Sequence, residues 1–241
     1  MWVRSVCFSP DGNHLATGSE DSLVRILDIG SGEQKALSGH YFDVHSLCYA
    51  PDGETLVSGG DDGKVMFWDT QTGSAMSSLD LPGGVISVST SSDCKYVAVG
   101  CLDKNCYLFH IETKSLHTVL RGHGANICSV AFSPDRKHIA TASLDRTIKI
   151  WMLGYSAQFV RTLKGHENDV FSVNFTANSR WVVSGSEDES VRIWDTQTGE
   201  YQMILRGHKN SVFSVSASPE GNYIATAGRD KRLIIWFYRE L

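Results

Sequence analysis

Polar turns and short apolar-rich runs alternate along the whole chain. The stretch from Gly165 to Asp195 shows the unit in full, GHENDVFSVNFTANSRWVVSGSEDESVRIWD. It opens on Gly-His and a short polar turn. Three runs rich in Val, Ile, Phe and Trp follow, each too short for a helix and bounded by turn residues, so each reads as a β-strand. An Asp sits in the last turn, and Trp-Asp closes the unit. The rest of the chain repeats this pattern. In the first copy the same runs fall at Val3 to Phe8, His14 to Gly18 and Leu23 to Asp28. The intervening Ser9-Pro10-Asp11-Gly12 has the residue types of a β-turn, because Pro fixes φ and Gly tolerates positive φ.

The turn aspartates Asp21, Asp62, Asp103, Asp145, Asp188 and Asp230 mark six copies, spaced by 41, 41, 42, 43 and 42 residues. A period of roughly 40–45 residues is that of a four-stranded propeller blade. Four copies carry a His 22 residues before the Asp: His40, His123, His166 and His208. A hydroxyl stands four before it at Ser58, Thr141, Ser184 and Thr226, and a Trp six after it at Trp68, Trp151, Trp194 and Trp236. With Gly-His, Ser/Thr, Asp and Trp at these spacings, the chain resembles the WD40 repeat proteins over its whole length. The resemblance implies an all-β propeller in one domain, residues 1–241, with repeats near 1–38, 39–80, 81–121, 122–164, 165–206 and 207–241.

Composition narrows the class. The chain has 241 residues, 41% hydrophobic, which is enough to bury a large core. No apolar run reaches the length of about 18 residues that a membrane helix needs, and MWVRSVCF lacks the pattern of a secretory signal. A net charge of −5 disfavours direct binding of nucleic acid. Cys7, Cys48, Cys94, Cys101, Cys106 and Cys128 form no CxxC pair and read as reduced, mostly buried thiols of an intracellular protein. No metal or cofactor is expected; Asp61-Asp62 and Glu187-Asp188 read as turns, and Gly59-Gly60 and Gly83-Gly84 lack the helix that a phosphate cradle requires.

His, Ser/Thr and Asp together invite a hydrolase reading, in which a carboxylate orients the base that activates a nucleophile. An enzyme needs one such set in one cleft, and this chain has four, each with a Trp at fixed spacing. They read as buried polar networks: the carboxylate accepts from the His, the His meets the hydroxyl, and the hydroxyl accepts from the indole N–H. No catalytic residue is expected. The third copy is degenerate, with Leu81, Val99 and Phe109 replacing the polar set so that only Asp103 remains. Ser91 in that copy reads as a loop residue of little consequence.

The functional candidates lie on the first strand of each copy. Its pattern is apolar, variable, Ser, apolar, except that the variable residue is Arg4, His45, Ile86, Cys128, Phe171 or Phe213. These side chains are expected to ring the mouth of a central channel. The residues just before the turn Asp (Glu20, Asp61, Leu102, Leu144, Glu187 and Arg229) are expected further out on the same face. Two Phe, an Arg and nearby acids suit a peptide with apolar anchors and charge.

The stretches VRSVCFSPDGNHLATGSEDSLVRILDI, GVISVSTSSDCKYVAVGCLD and GHKNSVFSVSASPEGNYIATAGRDKRLIIWFY resemble propeller repeats of the fungal Tup-type general transcriptional corepressors, kin to Groucho. That resemblance implies a nuclear, non-enzymatic scaffold whose top face receives peptides of DNA-bound repressors. It also implies contact with a tetratricopeptide-repeat corepressor and with histones and histone deacetylases. The helical oligomerisation segment of that family and one preceding repeat have no counterpart here, so tetramer formation is not implied. The alternative is a substrate receptor or scaffold in another intracellular complex, such as a ubiquitin ligase. Six repeats supply eighteen strands, with five outer strands between them, so the sixth blade lacks a source for its fourth strand. The expected architecture is an open arc of a seven-bladed propeller lacking its first blade, or else a six-bladed ring.

Overall fold

The structure, a computed structural model, describes residues 1–238. The protein is an all-β propeller of six repeats, and the described residues contain no helix. Five repeats form four-stranded antiparallel sheets with strands in sequence order. The sixth has three strands, Val212–Ala217, Tyr223–Gly228 and Leu233–Phe237. Two compact units divide the chain. One is Met1–Asp103 with Tyr107–Val119, and the other is Lys104–Cys106 with Leu120–Leu241.

Within the first unit, Val24 and Ile26 of the first blade cluster with Val44 and Leu47 of the second. Val65 and Phe67 of the second cluster with Val85 and Val88 of the third. The second unit repeats the scheme: Ile148 and Ile150 meet Val170 and Val173, and Val191 and Ile193 meet Val212 and Val215. Within each unit, the later blade of each such pair thus buries one face of its first strand against the third-strand face of the blade before it. Gly18, Gly59 and Gly185 allow this approach. A Cβ there would lie 2.7, 2.2 and 2.8 Å from Val44, Val85 and Val212, respectively.

A hydrogen bond recurs at each of these contacts. The serine of one first strand accepts from a backbone N–H of the next: Ser5 from Leu47 (3.3 Å), Ser46 from Val88 (3.0 Å), Ser129 from Val173 (3.1 Å) and Ser172 from Val215 (3.1 Å). The serine in the repeated first-strand pattern is therefore a blade-to-blade tie.

The register shows why the residue before that serine varies. Val3 pairs with Ser19 and Ser5 with Gly18, so Arg4 is skipped. His45, Ile86, Cys128, Phe171 and Phe213 are skipped in the same way. All six occupy β-bulges, where an extra residue leaves the ladder and its side chain is re-aimed. Such a position is released from cross-strand packing and is open to diversification.

The cysteines are less buried than their sequence setting indicates. Cys101 and Cys106 are buried, and the other four are half-buried. Cys7 and Cys128 thiols are pushed up to about 12 by burial, which keeps them protonated and unreactive at neutral pH.

Candidate functional site

The His–hydroxyl–Asp–Trp sets are closed networks. In the fifth blade His166 Nδ1 lies 2.8 Å from Asp188 Oδ2 and Nε2 lies 2.7 Å from Ser184 Oγ, which accepts from Trp194 Nε1 at 2.8 Å. The carboxylate also accepts from the N–H groups of Glu167 and Ser190 and from Ser190 Oγ. His40–Ser58–Trp68–Asp62, His123–Thr141–Trp151–Asp145 and His208–Thr226–Trp236–Asp230 repeat the geometry. The indole only donates, so the hydroxyl accepts from it and keeps its own hydrogen available for Nε2 of an imidazole whose Nδ1–H is given to the carboxylate. Every hydroxyl in the four sets is buried and already committed, so none is presented as a nucleophile.

The two copies without Gly-His satisfy their aspartates differently. Arg25 makes two bonds to Asp21, at 3.1 and 2.6 Å. Tyr107 donates to Asp103 at 2.6 Å. In the third copy the set is therefore not simply replaced by apolar groups: Tyr107, four residues after the Asp as Arg25 is, supplies a new donor. Ser91 also departs from expectation. It is buried, donates to Asp93 at 2.7 Å and accepts from Tyr96 N at 2.9 Å, closing the turn between the first two strands.

Acid should weaken these networks. Burial holds the His40 and His166 imidazoles below the usual histidine value, despite the opposing pull of Asp62 and Asp188. Burial pushes the Asp145 and Asp188 carboxyls up, but hydrogen bonds from the paired histidine and from Thr147 or Ser190 outweigh it and hold them well below the carboxylate range. All four groups bind protons more readily in the unfolded chain, so stability rises with pH. The urea midpoint is expected to be constant above about pH 7, to fall as pH drops below about 6.5, and to fall again below about 4. A midpoint unchanged between pH 7.5 and 5 would show that the folded histidines accept protons freely.

The bulge residues form separate constellations in the two units. In the first, Arg4 pairs with Glu20 at 2.6 Å and approaches Asp43 at 3.6 Å. His45 Nε2 lies 2.9 Å from Asp61 Oδ1 without hydrogen-bond alignment. Ile86 is half-buried and Leu102 exposed. In the second unit the rings of Phe171 and Phe213 meet with centroids 5.3 Å apart. Phe171 is half-buried and Phe213 exposed. Cys128 and Leu144 are half-buried, and Glu187 and Arg229 are exposed.

Sequence reasoning passed over Tyr41 and Phe42. Both are exposed, on the loop after His40, and Tyr41 N donates to Asp62 at 3.0 Å. The loop is Gly124-Ala125, Glu167-Asn168 and Lys209-Asn210 in the other Gly-His copies. An aromatic pair in a loop that is otherwise small or polar was the available signal.

Six antiparallel blades carrying these networks, with variable bulge residues at the start of each first strand, define a β-propeller of the protein-interaction class. Its residues 1–28, 32–69, 75–110, 113–152, 157–195 and 199–236 match the family described as WD domain, G-beta repeat. The chain belongs to the WD40 repeat family. It is 29% identical over 163 residues to nuclear distribution protein PAC1 of Coccidioides posadasii, covering 67% of this chain and 30% of that protein. It is 32% identical over 157 residues to the U3 small nucleolar RNA-associated protein 21 homolog of Schizosaccharomyces pombe, covering 63% and 17%. To the general transcriptional corepressor TUP1 of Saccharomyces cerevisiae it is 52% identical over 46 residues, covering 19% and 6%. The chain thus spans about a third or less of the length of these relatives.

Proposed function

We propose that this propeller acts in the nucleus as a transcriptional corepressor scaffold, receiving peptides of DNA-bound repressors through its β-bulge residues. The observation that carries the binding reading is the set of six β-bulges. Each frees one side chain from the sheet, and those side chains differ from blade to blade while their neighbours do not. The exposed Phe213 packed on Phe171 offers an apolar anchor site. Arg4, Glu20, Asp43 and Asp61 with Tyr41 and Phe42 offer a mixed charged and aromatic one. Aromatic residues and Arg are the side chains that most often carry binding energy at interfaces. The corepressor reading is supported by the similarity to TUP1, and partners of that kind would include a tetratricopeptide-repeat corepressor, histones and histone deacetylases.

The test is to fuse the chain to a heterologous DNA-binding domain upstream of a reporter gene. Repression is expected, and Phe213→Asp in the fusion should lose it at unchanged protein level. A fusion that leaves the reporter unaffected would remove the corepressor reading while leaving the interaction scaffold in place.

A further inference from the structure

A cleft of about 410 Å³ lies between the first and second blades, wholly within the first compact unit. That size falls in the range of ligand sites, roughly 300–1,000 Å³. Pro10 and Asp11 line it from the turn after one first strand, and Asp52 and Glu54 from the turn after the next. A smaller cleft of about 120 Å³ shares His14, Ile26, Lys35 and Thr70 with it and reaches Asp28 and Glu33. The two form one elongated groove. It is separate from the bulge residues: His45 stands near the start of the strand Val44–Tyr49, and Tyr49, which lines the cleft, ends it.

The groove is acidic. Five carboxylates line it, those of Asp11, Asp28, Glu33, Asp52 and Glu54, against the single ammonium of Lys35. Lys35 Nζ is already engaged, donating to Gln71 O at 2.6 Å. Asp11 is held by Ser9 Oγ and by two N–H donors of Asn13. Asp52 Oδ1 accepts from the N–H groups of Glu54 (2.9 Å) and Thr55 (3.3 Å), which fixes that carboxylate in place. Glu33 and Glu54 are exposed and make no ion pair among the described residues.

Tyr49 adds an independent observation. It is 8% exposed, yet its hydroxyl makes no hydrogen bond to any described residue. Leaving a buried hydroxyl unpaired is costly. It is near enough to Asp11 to feel that carboxylate's charge, and burial above all pushes it up to about 12. It therefore keeps its proton at neutral pH and can both donate and accept.

The geometry points to a binding site for a basic peptide. One arginine or lysine lays its aliphatic stem on Pro10, Ile26 and the Tyr49 ring and gives its N–H groups to Asp52, Glu54 and the Tyr49 hydroxyl. A second basic residue further along the groove meets Asp28 and Glu33. Asp and Glu outnumber Lys and Arg in this unit as a whole, a charge that draws such a peptide in. This inference does not depend on the proposed corepressor role.

Isothermal titration of the purified chain with penta-arginine at physiological ionic strength tests it. Wild type is expected to bind penta-arginine, to bind spermine more weakly because a free polyamine lacks the guanidinium fork, and not to bind pentaglutamate. Glu54→Lys and Glu33→Lys should each weaken binding about tenfold, since each sets a like charge against the ligand. Glu112→Lys, the same change on an exposed residue of the same unit outside the groove, should weaken it less than about twofold. Tyr49→Phe should weaken it roughly two- to tenfold, the worth of one hydrogen bond. Its melting temperature should not fall, because the lost hydroxyl has no partner among the described residues. Four results would overturn the inference: no binding of penta-arginine, spermine bound as tightly as penta-arginine, equal losses from Glu112→Lys and Glu54→Lys, or a Tyr49→Phe variant that binds as wild type.

Discussion

Asp188→Ala is expected to lower the stability of the protein by about 3 kcal/mol or more, because it strands a buried charge and several buried donors at once. The Asp188 carboxylate accepts from His166 Nδ1, from two backbone N–H groups and from Ser190 Oγ. Arg192, almost wholly buried, lies 3.6 Å from it and has no other carboxylate within ion-pair distance among the described residues. Ser184→Ala is expected to cost less, about 1–3 kcal/mol, since it leaves Trp194 Nε1 and His166 Nε2 unpaired but removes no charge. Glu187→Ala, on the exposed neighbour in the same turn, should stay within about 0.5 kcal/mol of wild type. Urea melts of the three variants check the ranking. Equal midpoints for Asp188→Ala and Glu187→Ala would mean that the network carries no stability.

A valine at one repeat position is expected to be costly in one blade and to cost less in another. Gly59→Val should destabilise by about 3 kcal/mol, at the upper end for an overpacked core. Its Cβ would lie 2.2 Å from Val85 Cγ1 and 2.9 Å from Val85 Cβ, on a strand that cannot retreat. Ala227→Val, at the equivalent position of the sixth blade, should cost less, because Ala227 is only half-buried and Leu233 opposite it is exposed. Thermal melts check both. An equal loss from the two would mean that burial at this position does not set the cost.

Much of the fold was legible because the repeat carries it. The strand limits of the first copy, Val3 to Phe8 and Leu23 to Asp28, coincide with those in the structure, since apolar alternation and Pro-Asp-Gly chemistry act locally. The Asp–His–hydroxyl–Trp geometry could be anticipated because four chemically complementary residues recur at fixed spacing. The β-bulges at Arg4, His45, Ile86, Cys128, Phe171 and Phe213 were visible only as variability. A register shift is set by the pairing of two strands, and one strand's sequence does not encode it. The bonds of Arg25 to Asp21 and of Tyr107 to Asp103 were missed because the compensating donor sits on the following strand rather than in the Gly-His loop. Ser91 was misjudged for a related reason: its turn resembles a surface loop in sequence, yet the serine points inward to close it. Val3 and Val44, or Ile235 and Ile193, are chemically alike in the sequence, so their different burial came only from the structure.

The His–Asp networks stabilise each blade from within, and the bulge residues bind. Titration of a repressor-derived peptide against wild type, Phe213→Asp and Ser184→Ala, with urea midpoints measured on the same samples, tests it most directly. The account predicts that Phe213→Asp loses binding at an unchanged midpoint, while Ser184→Ala keeps its affinity at a lower midpoint. Loss of affinity in Ser184→Ala at an unchanged midpoint, with Phe213→Asp binding as wild type, would contradict it.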